Sequence, residues 1–283
     1  MDKKTCIIIS GPTAVGKTSL AIELAQKYNT QIISADSRQC FKELDIGVAK
    51  PSIAQLERVT HYFINSHSIQ EEMNARIFEA YALNAINEIF QNNDVAIMVG
   101  GTGLYIKAFA EGLDEIPEVK ELIRKQIIEK YLLNGIDWLF NELKLHDPVF
   151  FDKGEMQNPQ RMLRALEVKL STGKSIFDFR TGEKAKREFD IKVRLLELPR
   201  EQLYQNINLR VEEMMNSGLL TEAEKLYPYK HLNALQTVGY RELFDYLDGK
   251  ITLENAIEEI KKNTRHYAKR QMTWFKKNIE INN

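Results

Sequence analysis

Eight consecutive residues, Gly11-Pro12-Thr13-Ala14-Val15-Gly16-Lys17-Thr18, fit the pattern G-x-x-x-x-G-K-[ST]. In such a loop the glycines let backbone N–H groups curl around an anion at the positive end of a helix. The lysine supplies a point charge, and the final hydroxyl suits Mg²⁺. Both flanks agree with the pattern. TCIIIS, residues 5–10, is a β-rich run directly before it, and Leu20, Ala21, Leu24, Ala25 and Tyr28 recur at helical spacing directly after it. The loop is therefore a phosphate-binding site, with Lys17 as its cation and Thr18 as its metal contact. Whose phosphate it holds stays open, because a nucleoside triphosphate such as ATP and a pyrophosphate ester offer it similar groups.

An ordinary phosphoryl-transfer enzyme also needs an acid after a hydrophobic strand to organise Mg²⁺. Here the apolar run 94–99 (DVAIMV) ends in Gly100-Gly101-Thr102-Gly103 instead. The acid that does follow a strand-like run is Asp36, within Asp36-Ser37-Arg38-Gln39. It suits two roles, a metal carboxylate or a general base facing an acceptor nucleophile. Gly-Gly-Thr-Gly lets a backbone approach a ligand closely and offers the Thr102 hydroxyl; alternatively it is a plain strand-to-helix turn. Arg210 is either a second cation for a pyrophosphate or a helix-surface residue. Arg161 and Arg164, three residues apart, suit the backbone phosphates of a polynucleotide or a solvated surface.

These residues need a scaffold, and the order of elements names one. Strand-like runs at 5–10, 31–34 and 94–99 alternate with helical spacing after residue 18 and over about 75–90. That alternation predicts a parallel α/β sheet with ligands at the carboxyl ends of its strands. GPTAVGKT, SADSRQ and GGTG all fall there. The texture changes near Asp114. Residues 117–133 and 136–145 are charged and helical, and Asn158-Pro159 opens a helix on which Leu163, Leu166 and Leu170 share a face. Residues 191–198 are β-like again, and 200–280 are mostly helical. The expected fold is α/β, a P-loop NTPase-like parallel sheet core flanked by helices over 1–114 and 191–283, with an inserted all-helical subdomain over 115–190. In the last helix Ile257, Ile260, Thr264, Tyr267, Gln271 and Trp274 follow a 3-4-3-4-3 rhythm, which predicts a core-facing side with basic residues beside it.

Charged residues make up 28% of the 283 and hydrophobic residues 43%, which excludes a disordered or fibrous chain. Two cysteines, Cys6 and Cys40, cannot build a disulfide framework or a four-cysteine zinc site. No apolar stretch reaches the roughly 18 residues a membrane span requires. The N-terminal MDKKTCIIIS reads as a strand and not a signal peptide. A soluble, cytoplasmic protein is expected. The net charge of −1 conceals seven Lys or Arg and no Asp or Glu between Lys261 and Lys277. Such a local basic stripe keeps a nucleic-acid partner in view.

Together the motifs resemble one family, the bacterial tRNA dimethylallyltransferases, or tRNA isopentenyltransferases, which act on adenosine 37. The resemblance covers nearly the whole chain. It is carried in order by GPTAVGKTSLAIELA, IISADSRQCFKELDIGVAKPS, VGGTGLYIKAF, NPQRMLRALEV, LPREQLYQNINLRVEEMMNSGL, LQTVGYRELFDYLDG and TRHYAKRQMTWFKK. It implies a Mg²⁺-assisted transfer of a dimethylallyl group from dimethylallyl diphosphate to N6 of adenosine 37 in the tRNA anticodon loop. Diphosphate leaves, and no phosphoryl group moves, which accounts for the absent acid after 94–99.

Carried over by position, Gly11, Pro12 and Thr13 to Thr18 hold the diphosphate, and Arg210 adds a second cation. Asp36 accepts the N6 proton. Ser37, Arg38, Gln39 and Thr102 surround a flipped-out adenine, and Lys120 with Gln160, Arg161, Met162, Leu163 and Arg164 contacts tRNA. A monomer is expected, since tRNA supplies the large partner surface. Cys40-Phe41 stands where the family often has Val-Tyr, removing a hydroxyl. Lys120 replaces an Arg, the chain stops soon after WFKK, and the zinc-finger extension of eukaryotic forms is missing. Alternative readings are a P-loop nucleotide kinase, with Asp36 as metal ligand, and an isopentenyltransferase for free adenylates. A GTPase-like RNA-binding switch would want an N-K-x-D motif, which the chain lacks.

Overall fold

The computed structural model describes residues 3–278, so the outer ends of the expected core, 1–2 and 279–283, lie outside the described residues. The chain divides into two compact units, Met1–Gly112 with Lys186–Asn283, and Leu113–Ala185.

The first unit opens with β1 (Thr5–Ser10), α1 (Lys17–Lys27), β2 (Ile32–Ser34), α2 (Ile53–Arg58), β3 (His61–Tyr62), α3 (Ala75–Asn92), β4 (Val95–Gly100) and α4 (Gly103–Glu111). The second unit contributes α5 (Glu121–His146), α6 (Pro148–Lys153) and α7 (Pro159–Thr172). The first unit then resumes with β5 (Asp190–Leu195), α8 (Arg200–Asn216), α9 (Leu219–Leu226), α10 (Tyr240–Leu247) and α11 (Leu253–Asn278).

The five strands form one parallel sheet in the order β3-β2-β4-β1-β5. Unbroken apolar runs such as Ile32-Ile33 and Ala96-Ile97-Met98 are fully buried, as expected for parallel strands covered on both faces. On one face Ile8, Ile33 and Met98 pack with Phe78 of α3 and Phe109 of α4. On the other, Ile9, Ile32 and Ile97 meet Ala21, Ile22 and Ala25 of α1. Tyr28, expected on that helical face, is 42% exposed. The helix ends at Lys27, so residue 28 no longer follows its rotation.

Strand register sets the height of the loops at the sheet edge. Ser10 pairs with Gly100, and Ser34 with Val99. Because β2, β4 and β1 are neighbours, the loops after them leave one edge of the sheet at the same height. Residues 186–189, expected at the end of the insertion, pack on the first unit instead. Arg187 donates to the carbonyls of Ala108 and Phe109 and pairs with Glu79, while the Phe189 ring meets Phe90 and Phe109.

In the second unit α5 is broken at Gly135 (φ 71°, ψ −163°), between the two helical stretches expected from the sequence. Asn158 caps α7 by accepting the Arg161 N–H at 3.3 Å, with Pro159 in the first turn. Met162, Ala165 and Leu166 pack against Leu139 and Leu143 of α5 and Phe150 of α6. Leu170, expected beside Leu163 and Leu166, is 40% exposed, because the buried stripe runs through Met162, Ala165 and Leu166 and leaves it at the margin. Among the described residues no helix is long and apolar enough to cross a membrane.

Candidate active site

Gly16 sits in the left-handed region (φ 96°, ψ 15°) just before α1, a conformation that side chains resist. That turn sets Lys17 as the first residue of the helix. Its Nζ donates to the carbonyls of Gly11 at 2.9 Å and Pro12 at 2.6 Å. Burial lowers the Lys17 pKa to about 8; the Asp36 carboxylate opposes this shift and the Arg210 guanidinium adds to it. Arg210 reaches the same loop from α8, where Leu203, Ile207 and Val211 are buried. Its Nη1 donates to the Thr13 hydroxyl at 3.2 Å. Burial lowers the Arg210 pKa, with Glu213 opposing.

The loop forms one wall of a cavity of about 560 Å³. Residues 13–18, Asp36, Gln39, Gly100, Gly101 and Arg210 all line it, as do 45, 46 and 48–52, with Met214, Tyr267 and Gln271. Three segments far apart in sequence, carrying Lys17, Asp36 and Arg210, thus meet at one edge of the sheet.

Asp36 is fixed by its own turn. Its Oδ1 accepts the N–H groups of Arg38 at 2.9 Å and Gln39 at 3.4 Å, which orients the carboxylate and leaves it further acceptor capacity. The Ser37 N–H donates to the Thr102 hydroxyl at 3.0 Å, so Thr102 links the two loops. Ser37, Arg38 and Thr102 are not among the residues lining the cavity. Gln39 lines it, but its amide is already engaged. It accepts from Ser34 at 3.2 Å and donates to the carbonyls of Val48 and Ala49 at 3.3 and 3.0 Å. The glycines from the end of β4 onward also make room for protein, while Gly100 and Gly101 still line the cavity. A Cβ on Gly100 would lie 2.1 Å from the Ala35 carbonyl oxygen, and one on Gly103 2.1 Å from the Trp274 ring.

Three residues at the site were not singled out by motif. Gln271, 7% exposed, accepts the Thr13 N–H and donates to the Gly101 carbonyl. The Thr13 N–H therefore already has a partner. Glu222 of α9 accepts the N–H groups of Ile46 and Gly47 at 2.9 and 3.0 Å, holding the segment that walls the cavity. Tyr267 lines the cavity, and burial, with the Asp36 charge second, pushes its phenol pKa up. The sequence shows Gln271 as an amide on a helix face that otherwise packs, but nothing local names Thr13 or Gly101 as its partners.

A family model described as IPP transferase matches residues 39–278. The chain belongs to the IPP transferase family. The tRNA dimethylallyltransferase of Flavobacterium psychrophilum is 52% identical to it over 96% of this chain and 90% of the relative. That of Christiangramia forsetii is 49% identical over 97% and 91%. Among solved structures, the tRNA delta(2)-isopentenylpyrophosphate transferase of Staphylococcus epidermidis superposes with a TM-score of 0.70 at 34% identity, covering 99% and 92% of the two chains. A eukaryotic dimethylallyltransferase acting on tRNA gives 0.80 at 31% identity, covering 96% and 70%.

The second unit of this IPP transferase holds the remaining candidates. Lys120 is the residue before the first turn of α5. On α7 Gln160 is exposed, Arg161 pairs with Glu155, and Arg164 lies 3.5 Å from Glu167. Leu163 is partly buried against the core of the unit. Met162, expected to contact RNA, is fully buried. Its place on the stripe facing α5 makes it part of the core of this unit and not a contact.

Proposed function

We propose that this IPP transferase moves the dimethylallyl group of dimethylallyl diphosphate to N6 of adenosine 37 in the tRNA anticodon loop, releasing diphosphate. The observation that carries the reading is one cavity in which a phosphate loop with two partly buried cations faces an oriented carboxylate, while the strand next to the loop ends in glycines and not an acid. Relatives of about 50% identity named tRNA dimethylallyltransferase support it.

In this reading the diphosphate lies against residues 14–18 with Lys17 and Arg210 neutralising it, which makes it a better leaving group. The N6 lone pair forms the new bond to C1 of the allyl chain as the C1–O bond breaks and its electron pair departs with diphosphate. Asp36 takes the N6 proton, which an exocyclic amine must lose to become a stable product. Thr18 offers Mg²⁺ a hydroxyl, a hard oxygen ligand that the ion accepts. Among the described residues no cluster of three His, Cys, Asp or Glu is placed to hold a metal, and Thr18 is the residue that would hold the ion. When bound, Mg²⁺ supplies further neutralisation of the leaving group.

The adenine must leave the anticodon stack to reach the cavity; Ser37, Arg38 and Thr102, on the Asp36 turn and the loop hydrogen-bonded to it, are assigned to the adenine in this reading. Lys120, Gln160, Arg161 and Arg164 are assigned to the tRNA backbone, and the basic side of α11 fits the same polyanion. A cytoplasmic monomer is the setting this reading implies. The test of the base is Asp36→Asn. Transfer should fall by about 10²–10⁴-fold while pyrophosphate binding persists. Loss of both together would make Asp36 a metal ligand.

A further inference from the structure

We propose that Gln271 is a positioning residue that clamps the phosphate loop to the turn after β4. The inference rests on the donor diphosphate occupying the phosphate loop. Gln271 projects from α11, a helix otherwise docked on this edge by apolar and aromatic groups such as Ala268 and Phe275, both about 1% exposed. A buried amide on such a face is costly unless all its polar atoms find partners. Here they do. Its Oε1 accepts the Thr13 N–H at 2.9 Å and its Nε2 donates to the Gly101 carbonyl at 2.9 Å.

The partners leave little slack. A Cβ on Gly101 would lie 2.2 Å from the Gln271 Nε2, so the turn is shaped around this amide. Thr13 is held a second time, through its hydroxyl, by Arg210. Two residues along, the turn carries Gly103, whose missing side chain admits Trp274 from the same helix. One side chain therefore fixes the start of the loop that grips the leaving group relative to the turn that carries Thr102. Its role is exerted through those loops, with no contact to the reacting atoms required. Methionine has the length and volume of glutamine without its hydrogen bonds, and so isolates the clamp from packing.

The experiment compares wild type with Gln271→Met in three measurements: thermal unfolding, the Kd for inorganic pyrophosphate with Mg²⁺, and the Kd for an unmodified anticodon stem-loop. The pyrophosphate Kd should rise about tenfold, because the variant loses both hydrogen bonds that hold the start of the loop. The stem-loop Kd should stay within about twofold, with cooperative unfolding retained. Unchanged pyrophosphate affinity in the folded variant, or equal loss of both ligands, overturns the role. If Gln271→Met does not fold, Gly101→Ala tests the same clamp from the other side. It should also weaken pyrophosphate about tenfold, and wild-type affinity there overturns the inference. A wild type that transfers no prenyl group, yet loses pyrophosphate affinity on Gln271→Met, refutes the proposed reaction and leaves the clamp standing.

Discussion

Raising the pH should release pyrophosphate by discharging Lys17. The Lys17 ammonium donates to two neutral carbonyls, those of Gly11 and Pro12, and burial brings its pKa from 10.5 to about 8. That difference corresponds to about 3 kcal/mol spent on keeping the buried charge. The folded pKa lies below the unfolded one, so the protein alone should gain stability as pH climbs from about 8 towards 10.5. Binding reverses the preference, since an anion against Lys17 favours its charged form. Above pH 8 each bound pyrophosphate must therefore bring back a proton. The logarithm of Kd should be flat between pH 7 and about 8 on Lys17's account, then rise by about one per pH unit.

The assay is calorimetric titration of pyrophosphate at several pH values against Lys17→Arg, whose guanidinium stays charged throughout. Protons lost by pyrophosphate itself affect both proteins alike, so the difference belongs to the lysine. A Lys17→Arg profile parallel to wild type would refute the reasoning, as would a wild type whose affinity does not change.

Two packing predictions are separable from chemistry. Gly103→Ala places a Cβ 2.1 Å from the rigid Trp274 ring and should cost about 1–3 kcal/mol in urea unfolding; wild-type stability would contradict the close approach. Met162→Ala, at a fully buried position, should cost about 2–5 kcal/mol with stem-loop affinity of the folded protein unchanged. A loss of RNA affinity without a loss of stability would restore Met162 as a contact.

The sheet and its site edge were legible because they rest on local signals. Apolar runs such as Ile32-Ile33, a loop whose glycine and lysine spacing has one use, and helix starts such as Asn158-Pro159 each declare themselves within a few residues. The meeting of Lys17 with Asp36 was also legible, since parallel strands put both loops at one edge. What escaped depends on contacts between distant segments. Gln271 meets Thr13 across 258 positions, and Glu222 meets Ile46 across 176; no local pattern encodes either. For the Gly-Gly-Thr-Gly glycines the spacing left open a close approach to a ligand or a plain strand-to-helix turn; Gly100 and Gly101 line the cavity, and Ala35, Gln271 and Trp274 also pack against these glycines. Which leucine ends up outside, as Leu170 does, depends on how a partner helix is turned, and spacing leaves that free.

The most direct test incubates the purified chain with Mg²⁺, dimethylallyl diphosphate and an unmodified anticodon stem-loop bearing adenosine 37, read by mass spectrometry. Parallel reactions replace the donor with ATP and the RNA with AMP. A five-carbon gain confined to the stem-loop, lost when adenosine 37 is replaced by guanosine, is the predicted result. An unmodified stem-loop with ATP consumed, or with AMP prenylated, would contradict it.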